Sequence, residues 1–121
     1  MKLEELQVYQ LSMNIAERIR EIVIHWDFFA KDVVGKQLIK AADSVAANLS
    51  EGFGRYFYKE NKQFCYYSIG SLFETKTWIR KANNRKLIDE KTYLEILTEL
   101  DTIGVKLNNY IKTIGKISNN E

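Results

Sequence analysis

The chain has 121 residues, enough for one domain with its own core, and 45% of them are hydrophobic against 28% charged. That balance excludes a disordered chain, and the absence of proline with only 6 glycines points to long helices and short links. The formal net charge of +2 is small but uneven: residues 31–86 carry 11 basic and 5 acidic side chains, between two mildly acidic ends.

Several classes drop out early. The single cysteine, Cys65, makes no internal disulfide, which suits a reducing, cytoplasmic compartment. The N-terminal "MKLEELQVYQ" has acids where a signal peptide needs an apolar run. No stretch reaches the length of apolar chain that spans a bilayer. No membrane association is expected.

Four amphipathic segments follow in chain order. The first runs from about Leu3 to Trp26, where Val8, Leu11, Ile15, Ile19, Ile22 and Trp26 step by three or four. "DFFAKD" breaks the pattern, and Asp32 is the expected cap of the next helix. The second runs from about Val33 to Gly52, on a line of Val34, Leu38, Ala41, Val45 and Leu49. Gly52 and Gly54 suit its end, where a left-handed residue costs glycine little. The third runs from about Lys59 to Asn83, with Phe64, Tyr67, Ser71, Thr75, Trp78 and Ala82 on one face. Asn83 or Asn84 serves as its C-cap. The fourth runs from about Asp89 to Ile117, on Tyr93, Leu97, Leu100, Ile103, Leu107, Tyr110, Ile114 and Ile117. Asp89 is its expected N-cap, and the tail "SNNE" is expected to fray. The fold class is therefore all-α: one domain, an antiparallel up-down-up-down four-helix bundle over residues 1–121.

The second segment carries a polar stripe. At 100° per residue, Gln37, Ser44, Asn48, Glu51 and Arg55 fall within about 60° of one another, beside the apolar line. Ser71 and Glu74 hold similar places on the third segment. A helical hairpin brings the two sets together, with Asn48 expected to bridge Ser71 and Glu74. Ala46, Ala47 and Gly70 are expected to let the backbones approach.

The chemistry of catalysis is hard to assemble from these residues. Glu51 and Glu74 lack a histidine at Glu-x-x-His spacing, so a di-metal carboxylate site is not expected. His25 sits on another helix. Cys65 has no His/Asp partner set and reads as core. "EGFGR" lacks the strand before it and the Lys-Ser/Thr after it that a phosphate loop needs. No enzyme, metal or cofactor is expected.

The runs "GKQLIKAADSVAANLSEGFGR" and "YKENKQFCYYSIGSLFET" resemble the 23S ribosomal RNA intervening-sequence proteins, also called the four-helix bundle or S23 ribosomal protein family. The matching elements are Gln37, the Ser44–Asn48–Glu51–Gly52 spacing, and Gly70-Ser71 followed by Glu74. One departure is Ala46, where the family pattern usually has proline. The resemblance implies a bacterial, non-enzymatic bundle that assembles as a ring-like homopentamer. It also implies genes lying within ribosomal RNA insertions, and a branch that assists the reverse transcriptases of diversity-generating retroelements.

Two functions remain. In the first, the basic block binds the backbone of RNA or DNA. Lys59, Lys62, Lys76, Arg80 and Lys81 fall within an arc of about 140° on the third segment. Arg55 stands just before it, and Tyr66 and Phe73 lie inside the arc as candidates for stacking. In the second, the same aromatics form an oligomer interface or dock a protein partner such as a reverse transcriptase, and the lysines are its solvated rim.

Overall fold

The computed structural model describes residues 1–115. Ile117 and the tail "SNNE" lie outside the described residues. A short 3₁₀ turn, Leu3–Glu5, leads into α1, Gln7–Val23. A single helical turn at Phe28–Ala30 and a π-turn at Lys31–Gly35 run without a break into α2, Lys36–Phe53. Then come α3, Tyr58–Asn84, and α4, Glu90–Thr113. Each helix packs on its neighbours in the order α1–α2–α3–α4–α1, with α2 against α3 the most extensive pair. This is the up-and-down four-helix arrangement.

The core of α2 follows the expected line throughout, and those of α1 and α4 follow theirs in part. Val8, Ile15 and Ile19 of α1 are buried together with Ser12, Ala16 and Val23, while Leu11, Ile22 and Trp26 of the expected line are only half-buried. Every expected residue of the α2 line is buried, from Val34 to Leu49. In α4 Leu100, Ile103 and Leu107 are buried together with Ile96 and Ile111, while Tyr93, Leu97 and Tyr110 are half-buried.

The core face of α3 agrees with the expected one at Thr75 and Ala82 and differs from it elsewhere. Its buried residues are Cys65, Ser68, Leu72, Thr75, Ile79 and Ala82, a strict three-four alternation. Tyr67 is half exposed, and Ser71 and Trp78 sit at the edge of the face. The seam is rich in small and hydroxylated residues because α2 comes close to it. Ser68 Oγ donates to the Val45 carbonyl of α2 at 2.8 Å, and Thr75 Oγ1 donates to the Ser71 carbonyl at 2.8 Å. Those bonds satisfy hydroxyls that would otherwise be costly to bury. Tyr66, Tyr67 and Phe73 stand outside it.

The helix ends are set by local chemistry. Asp27, not Asp32, starts the second helical stretch: its Oδ1 accepts from Ala30 N at 2.8 Å. Asp32 instead pairs with Lys36 one turn on, at 2.7 Å. Gly54 takes right-handed rather than left-handed backbone, and Gly52 lies buried within α2. At the end of α3, Lys86 adopts φ 60°, with Leu87 N donating to Ala82 O at 2.9 Å and Lys86 N to Asn83 O at 3.0 Å. This pair of bonds is the Schellman arrangement, so the turn residue is Lys86 rather than Asn83 or Asn84. Asp89 caps α4 as expected, accepting from Thr92 N at 2.7 Å. Arg18 of α1 closes the bundle against α4, at 2.6 Å from Glu95 and 2.8 Å from Glu99.

Candidate nucleic-acid interface

The six cations expected to hold phosphate do not share one environment. Arg55, just past the end of α2, is 2.6 Å from Glu51 of that helix, and its guanidinium lies 4.8 Å from the centre of the Phe64 ring. Lys76 reaches across to α4, where its ammonium is 2.8 Å from Asp101, and only 13% of its side chain is exposed. The same ammonium lies 5.2 Å from the centre of the Phe73 ring. Lys81 sits over Trp78 at 5.9 Å. Lys59, Lys62 and Arg80 have no ion pair or hydrogen bond among the described residues. Among the described residues the arc therefore keeps four cations without a carboxylate partner: Lys59, Lys62, Arg80 and Lys81. Tyr66 and Phe73 are 57% and 61% exposed within that arc.

The polar stripe is not the buried bridge that its spacing predicts. Asn48 Nδ2 donates to the Ser44 carbonyl of its own helix at 3.0 Å, and Ser44 Oγ to the Lys40 carbonyl at 2.8 Å. Glu51 turns to Arg55. Gln37 and Glu74 are exposed, and Asn48, Ser44 and Ser71 are half-buried. Neither Ser71 nor Glu74 meets Asn48 in a hydrogen bond among the described residues. The stripe lies about a quarter-turn from the centre of the α2 core face. There, carbonyls of the same helix and water satisfy polar groups without the cost of burying a carboxylate. The motif residues thus edge an outer α2–α3 seam, where Arg55 covers Phe64.

The two motif glycines play opposite parts. A Cβ on Gly52 would stand 2.9 Å from the Asn61 carbonyl and 3.0 Å from Phe64 Cβ, so Gly52 sets how close α3 comes as it leaves the turn. A Cβ on Gly70 would meet nothing within 4 Å. Gly70 is exposed and holds no backbones together.

Other titratable groups are structural in setting. Burial pushes the Cys65 thiol up to about 11, which keeps it protonated and unreactive near neutral pH. His25 is exposed just beyond α1. Among the described residues, no group of three His, Cys, Asp or Glu side chains is placed to hold a metal ion. No described helix is long and apolar enough to cross a membrane.

Sequence reasoning missed one surface. A groove of about 670 Å³ opens between the end of α1 and the start of α2, floored by Val23, Ile24, Gly35 and Ile39 and edged by Lys36 and Lys40. Phe28 beside it is 80% exposed and Phe29 75%. The signal was the "FF" pair inside "DFFAKD", which periodicity alone reads as a break.

The profile of the 23S rRNA-intervening sequence proteins matches residues 4–109. The chain belongs to that family. Among solved structures it is similar to a protein of unknown function from the S23 ribosomal protein family of Bacteroides thetaiotaomicron, at 22% identity and a TM-score of 0.78. The match covers 88% of this chain and 99% of that one, and it shows a shared fold. No curated protein matches the chain. For this intervening-sequence family member the matched span takes in α1 to α3 and most of α4, with the polar stripe and the cation arc of α3.

Proposed function

We propose that this protein is a non-catalytic bundle that binds the backbone of RNA or DNA through the outward face of α3. The observation that carries the reading is the set of Lys59, Lys62, Arg80 and Lys81. They stand on one helix without carboxylate partners, interleaved with exposed Tyr66 and Phe73. Arg55 and Lys76, by contrast, are held by Glu51 and Asp101 and contribute less to phosphate. An arginine offers two parallel donors to phosphate and a lysine a compact charge, so binding is sequence-tolerant. We further propose that the chain self-associates, with a cytoplasmic homopentamer as the expected assembly. Repeating the α3 face around such a ring raises affinity through multivalency.

A filter-binding titration against RNA and DNA tests the reading. Reversing Lys62 and Arg80 to glutamate should weaken binding to all sequences alike, with helix content unchanged. Equal binding by the reversed variant would remove the α3 face from consideration. The exposed Phe28 and Phe29 beside the apolar groove support a second reading, a scaffold that docks a protein partner such as a reverse transcriptase. That reading predicts that Phe28→Asp abolishes partner capture while leaving nucleic-acid binding intact.

A further inference from the structure

Tyr66, Gly70 and Phe73 are spaced by four and three residues, so they line one outward strip of α3. The strip is a notch: two exposed rings stand on either side of a residue with no side chain, and a Cβ there would meet only open space. Tyr66 makes no hydrogen bond or ring contact among the described residues. The Lys76 ammonium lies over the Phe73 ring, which stays largely exposed.

The dimensions of the notch are informative. Seven residues of α-helix separate the Tyr66 and Phe73 backbones by about 10.5 Å along the axis. Four flat rings stacked at the ~3.4 Å spacing of nucleic-acid bases span about 10.2 Å from first to last. Two bases therefore fit between the two side-chain rings, over a floor left clear by Gly70 on one side and lined by the half-buried Ile69 on the other. Lys62 lies one turn before Tyr66 and Arg80 two turns after Phe73. Both fall within about 40° of the aromatic line, and neither has a carboxylate partner.

We propose that this notch clamps two consecutive bases of a single strand between Tyr66 and Phe73, over Gly70, while Lys62 and Arg80 hold the flanking phosphates. The inference rests on the nucleic-acid reading above and adds to it a preference for unpaired strands. Bases in a duplex are already stacked and paired and cannot enter. Every base has a π-face, so the clamp tolerates any sequence.

The test measures fluorescence anisotropy of the full chain with three probes: a mixed-sequence 12-nucleotide DNA strand, its duplex, and an abasic strand with the same backbone. The clamp predicts that the protein binds the base-bearing strand at least about tenfold more tightly than the abasic one, a typical worth of stacking on an aromatic side chain. Gly70→Leu, which fills the notch and favours the helix, should bring the two strands to equal affinity with the salt dependence unchanged. The pair Tyr66→Leu and Phe73→Leu should do the same and serves if the first variant fails to fold. Equal affinity of the unaltered protein for base-bearing and abasic strands would overturn the clamp and leave backbone binding standing. Absence of binding to all three probes at low salt would overturn both. Loss of assembled mass in Gly70→Leu by light scattering would assign the strip to self-association and overturn the clamp.

Discussion

Gly52 and Gly70 look alike in the sequence and differ in what surrounds them. Gly52 faces the Asn61 carbonyl, a backbone atom that cannot move without shifting α3. Gly52→Ala should therefore lower stability by about 1–3 kcal/mol, the usual cost of overpacking. Gly70→Ala, with nothing in reach, should raise it by roughly 0.5–1 kcal/mol through helix propensity alone. Chemical denaturation of both variants checks the pair. Asp43 tests the electrostatics. Burial, and after it the neighbouring Glu17, raises its carboxyl above the ordinary range, with Arg20 opposing. Above its unfolded pKa the unfolded chain releases this proton more readily, so ionised Asp43 works against folding as pH rises. Below the carboxylate range the penalty vanishes. Asp43→Asn should thus raise the melting temperature at neutral pH and leave it unchanged in strong acid.

At the scale of helices, periodicity served best where the core is aliphatic. The α2 line was legible because Val34, Leu38, Val45 and Leu49 are all large and apolar. The α3 seam was legible only at Thr75 and Ala82, because its other core positions include Cys65 and Ser68 while the bulkier Phe64 and Tyr67 beside them lie at its edge or outside it. A reading weighted by hydrophobicity follows the aromatics and lands one position off. The polar stripe was legible as a stripe, but its partners were not. Bonds from Asn48 and Ser44 to carbonyls of the same helix leave no mark in the spacing between helices. Caps divided in the same way. Asp89 was readable from its place before an apolar run, whereas Lys86 at φ 60° is a position where glycine is usual. Lys86→Gly should stabilise the α3–α4 turn by about 1 kcal/mol. The backbone N–H of Thr92, and then its hydroxyl, hold Asp89 below the usual carboxylate range. Its contribution is present above that range and is lost as pH falls through the lowered value. Asp89→Ala should therefore lower the melting temperature at pH 7, and the difference should close in acid.

For the whole molecule, the distribution of exposed rings matters more than net charge. Tyr66 and Phe73 project from α3, Phe28 and Phe29 from the start of the second helical stretch, and Tyr56 and Phe57 from the α2–α3 turn. A ring needs two unlike surfaces that meet head to tail, and these lie on different sides and ends of one bundle. Light scattering at micromolar concentration should give a mass several times 14.2 kDa. A monomeric mass at every concentration would leave the α3 face to act alone. If the unpaired cations of α3 hold phosphate, as we propose, the affinity for a single strand as a function of salt shows it most directly. Four phosphate contacts per chain predict a log–log slope of about −3, reduced by about half when Lys62 and Arg80 are reversed to glutamate. Affinity that does not change with salt, or no binding at low salt, would contradict it.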